Sequence, residues 1–132
     1  MSETFTAAAR AIFAKKVLAH VATLEPDGSP QVTPVWVELD GDNIVINTAL
    51  GRAKARNLAS DPRVAVSLTD PDEPEDAICV RGTVVGFTTI GGDEVIDRLS
   101  MKYNDGEHFD HRVGEIRVTV TIQPDRIARQ PE

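Results

Sequence analysis

The residues best suited to hold a charged ligand lie in one short stretch, residues 47–58, which reads NTALGRAKARNL. It carries Arg52, Lys54 and Arg56, although the formal net charge of the chain is −7. The pattern predicts a strand followed directly by a helix that begins near Gly51. A helix start offers free backbone N–H groups and the positive end of its dipole. The stretch therefore predicts an anion site, suited to a phosphate.

The plain alternative is that Arg52, Lys54 and Arg56 form a solvated helix face. Two considerations favour the anion site. A cation at the positive end of a helix dipole is unfavourable by up to about 1 kcal/mol unless an anion is bound. Clustered cations are also less expected in an acidic chain. Thr48 adds a hydroxyl donor, and Arg52 can bind a phosphate through two parallel hydrogen bonds.

The remaining polar residues do not form a recognisable catalytic set. His108 and His111 lie three apart in a polar loop without a matching ligand pair, so no metal site is predicted. His20 lies in a predicted strand, where a hydrogen-bonded wall histidine is the usual outcome, and it remains a reserve proton donor. No serine lies in a GxSxG elbow, so a hydrolase triad has no support. The catalytic residues are left unassigned.

The elements that must position the anion site follow from apolar spacing and turn residues. We expect a helix capped at 2–4 and reaching about Lys15. Three strands should follow as a meander, with tight turns at Gly28 and at residues 40–43. The expected ranges for these strands are 17–24, 31–39 and 43–49. Further elements are expected as a helix at 51–60, strands at 63–69 and 77–89, a helix at 92–103, a strand at 114–123 and a short segment near 127.

Strands joined by tight turns predict a mainly β (α+β) antiparallel domain, and six or seven of them in so short a chain fit a Greek-key barrel. Gly82 and Gly86 inside one predicted strand indicate bulges where the sheet bends. The glycines form neither GxGxxG nor GxxxxGK[ST], so a Rossmann fingerprint and a P-loop are excluded.

Length and composition predict one domain over residues 1–132, with 41% hydrophobic and 27% charged residues. The negative charge argues against nucleic acid as the main partner. Cys79 is the only cysteine, which excludes an internal disulfide and fits a reducing compartment. The pattern shows neither a signal peptide nor a membrane span, so we expect a cytoplasmic protein without a membrane partner.

Five segments of the chain form a recognisable pattern when taken together: 23–37 (TLEPDGSPQVTPVWV), 47–48 (NT), 51–58 (GRAKARNL), 61–66 (DPRVAV) and 80–84 (VRGTV). Over roughly residues 10–122 this pattern resembles the pyridoxamine-phosphate-oxidase-like split barrels. The resemblance is closest to the branch of small reductases that use coenzyme F420, a deazaflavin with a phosphate and a polyglutamate tail (flavin/deazaflavin oxidoreductase B type). The chain lacks the long C-terminal extension of the FMN-dependent pyridoxamine phosphate oxidases, with its substrate-binding Arg and His.

The resemblance implies a homodimer with two cofactor sites at the subunit interface. It implies that Thr48, Arg52 and Lys54 hold the phosphate with Asn57 nearby, and that the ring lies against the strand 33–36. The cofactor-binding residues expected on this basis are Thr33, Pro34, Val35, Trp36, Asn47, Thr48, Arg52, Lys54 and Asn57.

Three functions stay open at this point. The leading one is an F420-dependent oxidoreductase that passes a hydride from the reduced deazaflavin to a small electron-poor acceptor. The second is an FMN-dependent oxidoreductase with the same phosphate cradle, and the third is a non-catalytic flavin-, F420- or haem-binding protein. Extra cations for an acidic tail would favour F420 over FMN, and Lys15, Lys16 and Arg56 are candidates.

Overall fold

The computed structural model describes residues 2–130, which form seven strands and three helices. The strands make one antiparallel sheet in the order β2-β1-β5-β6-β7-β4-β3, which confirms the mainly β, antiparallel prediction. In chain order the elements are α1 (Ala7–Ala14), β1 (Ala19–Leu24), β2 (Pro30–Val35), β3 (Glu38–Asp40), β4 (Asn43–Ala49), α2 (Ala53–Ser60), β5 (Arg63–Thr69), β6 (Ala77–Thr88), α3 (Gly92–Tyr103) and β7 (Arg117–Gln130).

The sheet is curled into a barrel with a seam between its two edge strands. β2 and β3 lie at opposite ends of the strand order, yet only Trp36 and Val37 separate them along the chain. The two edges must therefore lie close together in space. The inward-facing side chains of the curled sheet form the main apolar core, with Ile44, Ile46 and Ile122 fully buried.

The predicted strand over 31–39 is wrong in one respect, because it is broken at Trp36 and Val37. The backbone N–H of Val37 donates to Tyr103 Oη at 3.1 Å, and its carbonyl accepts from Lys102 Nζ at 2.8 Å. Side chains of α3 thus take up the backbone groups that a strand ladder would use. β2 pairs with β1 and β3 pairs with β4, so two hairpins replace the expected meander.

Two other predicted boundaries differ. The first helix begins at Ala7, not near Ser2, because Thr6 is its N-cap and accepts a hydrogen bond from Ala9 N at 3.1 Å. The last strand is one continuous element, not a strand at 114–123 followed by a short segment. It stays paired with β6 along its length because the register shifts at Gly82 and Gly86 absorb the bend. The predicted bulges are therefore confirmed.

Helix α3 packs on the outer face of the sheet beside β4 and β7. Its first residue, Gly92, allows this approach, since a Cβ there would overlap the carbonyl of Arg117. Ile96, Leu99 and Tyr103 form a second apolar cluster, against which Trp36 and Phe109 pack. This second cluster forms one wall of the candidate site. No helix within residues 2–130 has the length and apolar character needed to cross a bilayer.

Candidate functional site

A cleft of about 330 Å³ lies where the end of β2, the start of α2 and helix α3 meet the outer face of β4 and β7. We call it the cationic cleft, because Arg52, Lys54, Arg112 and Arg117 all line it. These side chains come from separate segments of a chain with a net charge of −7. The positive charge is therefore a local property of this cleft.

Lys54 has the environment expected of a residue that binds an anion. Its Nζ donates to Thr33 Oγ1 at 3.2 Å, so its contact there is a neutral hydroxyl. Burial, followed by the charges of Arg52 and Arg117, lowers the pKa of Lys54 to about 8. A bound anion would raise the pKa of Lys54 again, because its negative charge would stabilise the buried ammonium group and balance the neighbouring cations.

Arg117 is held rigidly at the floor of the cleft. Its side chain is only 4% exposed, and its Nε donates to Asn47 Oδ1 at 2.8 Å. Asn47 Nδ2 in turn donates to the carbonyl of Gly92 at 2.9 Å. Asn47 lines the cleft as expected, but its amide atoms bond to the protein. Asn47 therefore positions Arg117 and the start of α3.

A carboxylate joins two of these cations. Glu115 Oε1 accepts from Arg117 Nη1 at 2.8 Å, and Glu115 Oε2 accepts from Arg52 Nη2 at 3.3 Å. The hydrogen bond from Arg117 is the main cause that lowers the pKa of Glu115 below its usual range. Arg52 and Arg117 thus share one negative charge from within the protein.

Thr48, an expected phosphate ligand, and Asn57, expected near the phosphate, both lie outside the lining of the cleft. Thr48 is buried on the core face of β4, together with Ile44 and Ile46. Within residues 2–130 its buried hydroxyl has no hydrogen-bond partner. Asn57 is also buried, and its Nδ2 donates to Thr23 Oγ1 at 3.0 Å, which ties α2 to β1. Arg52 and Lys54 are the predicted phosphate ligands that the structure brings together in the cleft.

The other wall of the cleft is apolar and partly aromatic. Pro34, Val35 and Trp36 line it, whereas Thr33 of the same predicted segment contacts Lys54 instead. Trp36 stacks on Tyr103 with ring centroids 5.3 Å apart. Phe109 meets Trp36 edge-on at 6.2 Å, and the guanidinium of Arg117 lies 5.0 Å from the centroid of the Phe109 ring. A flat, partly apolar ring carrying an anionic chain matches this division of the cleft.

The sequence pattern missed Phe109, Arg112, Glu115 and Arg117, which lie about 60 residues beyond the helix motif. They reach the cleft because β7 pairs with β4, placing Arg117 opposite Ala49. The available signal was the pair of arginines around Glu115 at the start of a strong β pattern. Local spacing does not reveal such a nonlocal pairing.

The cations proposed for an acidic tail are engaged elsewhere. Lys15 binds Asp70 at 2.7 Å, and Lys16 binds Asp105 at 3.1 Å. Arg56 donates to the carbonyl of Gly51 at 2.5 Å. Arg112 and Arg117 instead supply the additional positive charge beside Arg52 and Lys54.

The histidines lie away from the cationic cleft or at its periphery. His20 points to a second groove of about 390 Å³ on the outer face of β1, β5 and β6, which Cys79 also lines. His111 contacts Asp97 at 2.7 Å on α3. In the described part of the chain, no group of three or more His, Cys, Asp and Glu side chains is arranged to hold a metal ion.

Comparison with known proteins places the chain in a family. The model of the pyridoxamine 5'-phosphate oxidase family matches residues 5–127. The chain belongs to this family. An F420 reductase of known structure is 29% identical, with a TM-score of 0.81 over 90% of this chain and 94% of its own.

More distant structures share the fold. A conserved hypothetical protein from Mycobacterium tuberculosis is 22% identical, with a TM-score of 0.78 over 97% of this chain and 85% of its own. General Stress Protein 26 from Bacillus anthracis is 17% identical, with a TM-score of 0.67 over 90% and 88%. These matches and the seven-stranded sheet confirm the predicted split barrel.

Proposed function

We propose that this protein is a coenzyme F420-dependent oxidoreductase that passes a hydride from the reduced deazaflavin to a small electron-poor acceptor. The observation that carries the proposal is the cationic cleft, in which Arg52, Lys54, Arg112 and Arg117 face an apolar wall formed by Pro34–Trp36. The family is one of flavin- and deazaflavin-type oxidoreductases. The similarity of this chain to an F420 reductase supports the choice of F420 as the cofactor.

The residues present fit an anionic cofactor. Lys54 is more than half buried beside other cations and a neutral hydroxyl, which is a costly arrangement without an anion. Arg52 is half exposed and faces the same cleft, so its guanidinium is accessible to a phosphate oxygen. The donor chemistry therefore suits a phosphate group at the start of α2.

Each part of the cleft has a separate task in this proposal. Lys54 and Arg52 bind the phosphate, while Arg112 provides positive charge for an acidic tail. Trp36 and Phe109 exclude water from the ring end of the cleft and orient the ring. When bound, the reduced deazaflavin supplies the hydride. The protein contributes binding and orientation, so no side chain is assigned as an acid or a base.

FMN is the runner-up cofactor, because its phosphate would use the same Arg52 and Lys54 pair and the family match covers residues 5–127. The additional charge of Arg112 and Arg117 favours the longer, more acidic F420. A non-catalytic flavin, F420 or haem carrier is the remaining alternative. The proposal also includes a homodimer in the cytoplasm.

Turnover with a panel of acceptors separates an enzyme from a carrier. The protein is mixed with chemically reduced F420 and with quinones or conjugated enones, and recovery of the oxidised deazaflavin absorbance is followed. Reduced FMN is run in parallel under exclusion of oxygen. We expect acceptor-dependent oxidation of F420 above the protein-free rate. Equal rates with and without the protein for every acceptor would contradict an enzymatic role.

A further inference from the structure

Glu115 is a carboxylate bonded to two of the cations that line the cationic cleft, although the residue itself lines a neighbouring groove beside Gly92 and Ile116. Its carboxylate bridges Arg117 at 2.8 Å and Arg52 at 3.3 Å. Its side chain is only 13% exposed, whereas that of Arg52 is 50% exposed. A phosphate that binds Arg52 therefore approaches a guanidinium already shared with a fixed anion.

The carboxylate of Glu115 is held in a fixed position. Its partner Arg117 is itself buried and bonded to Asn47, so the Arg117–Glu115 pair stays beside the cleft. Since Glu115 accepts hydrogen bonds from two guanidiniums, it stays ionised in the range where a phosphate ester titrates. Any phosphate bound through Arg52 consequently experiences its repulsion.

The geometry points to Glu115 as a specificity-determining residue that selects against the second charge of a phosphate monoester and so shifts the preference of the cationic cleft toward a singly charged phosphate diester. The second charge of a monoester is attracted by Lys54 and Arg112 but repelled by Glu115, so Glu115 reduces the gain in affinity that this second charge brings. This inference rests on the proposed binding of a phosphate-bearing flavin or deazaflavin in the cleft. It restricts the ligand class by phosphate charge, independently of the ring.

The test compares FMN with the methyl ester of its phosphate, which carries one negative charge fewer and one methyl group more. Equilibrium dissociation constants are measured for wild type and Glu115→Gln. We expect the substitution to tighten FMN binding by about threefold to tenfold more than it tightens ester binding, as the loss of one nearby like charge would do. Glu75→Gln is the matched control, because it removes the same charge from an exposed residue of the β5–β6 loop outside the cleft.

A second measurement uses pH. The second pKa of a phosphate monoester is about 6, so FMN becomes singly charged in mild acid while its methyl ester does not change. The extra tightening of FMN relative to the ester in Glu115→Gln should therefore shrink by about threefold or more between roughly pH 7.5 and pH 5. Lys54, with a pKa of about 8, gains charge over this interval in both proteins, and comparing the variant with wild type cancels that change.

The tests of Glu115 and the test of F420 turnover can fail independently of each other. Equal effects of Glu115→Gln on both flavins, an extra effect on FMN that persists unchanged in acid, or no binding of either flavin would overturn the inference about Glu115. F420 turnover in the same preparation would still support the proposed function. The predicted charge preference without any F420 binding or turnover would instead support the role of Glu115 and contradict the assignment of F420.

Discussion

At the scale of single residues, the proposed anion site makes Lys54 the group that would couple ligand binding to pH. Burial and the neighbouring cations Arg52 and Arg117 lower its pKa to about 8, and a bound anion should raise it again. Binding above that pH therefore takes up a proton, and affinity falls as pH rises. We expect the affinity for F420 to fall by about tenfold from roughly pH 7 to pH 9.

Isothermal titration at several pH values checks this dependence. Lys54→Arg is the matched variant, since a guanidinium remains charged throughout the range. Its affinity should vary much less with pH than that of wild type. A wild-type affinity that is flat from about pH 7 to pH 9 would show that Lys54 does not hold the anion.

The sequence was sufficient to locate Arg52 and Lys54, because a strand, a helix start and two cations lie within a few consecutive residues. It was not sufficient for Arg117 and Glu115. Their place in the site depends on the β4–β7 pairing and on the close approach of α3 at Gly92. The positioning role of Asn47 could not be predicted either, because it depends on hydrogen bonds with Gly92 and Arg117, which are distant in the sequence.

At the scale of the elements, hydrogen bonds of the Tyr103 hydroxyl hold α3 against the barrel seam. Its hydroxyl donates to the carbonyl of Val17 at 2.5 Å and accepts from Val37 N at 3.1 Å. Tyr103→Phe leaves both buried backbone groups without this partner, and we expect it to lower the free energy of unfolding by about 1–3 kcal/mol. Urea unfolding followed by circular dichroism measures the change.

The position of Trp36 gives a second readout for the same variant. Trp36 stacks on the Tyr103 ring, which phenylalanine retains, so its fluorescence spectrum in the folded state should change little. A variant as stable as wild type would contradict the role of the hydroxyl.

Tight turns and apolar alternation predicted most strands and the helix over residues 92–103. They did not predict the break at Val37, because its backbone partners are side chains of a distant helix.

At the scale of the whole molecule, the outer face of the central strands is the surface on which the proposed homodimer would form. Ala65 and Ala128 are exposed there, and Val32 is 59% exposed. Small residues over adjacent strands let a second copy approach the shallow groove there closely, and exposed apolar side chains of this kind commonly mark an interface. Ala65 lies at the middle of this face on β5.

We expect Ala65→Arg to shift the protein from dimer to monomer, because each copy would bring a bulky charge to the interface. Light scattering after size-exclusion chromatography measures the mass of each species. Ser29→Arg, in the exposed β1–β2 turn, is the control for the added charge. A wild-type monomer, or an Ala65→Arg protein that remains dimeric, would contradict this assignment of the interface.

Equilibrium binding of F420 and FMN, measured in parallel on wild type and Lys54→Ala, tests whether the cationic cleft holds F420. We expect wild type to bind F420 more tightly than FMN. We also expect Lys54→Ala to weaken F420 binding by about 1.5–3 kcal/mol, the value of a hydrogen bond to a charged group. Tighter binding of FMN than of F420 would support the FMN-dependent alternative. No binding of either ligand, or F420 binding that Lys54→Ala leaves unchanged, would contradict the proposed site.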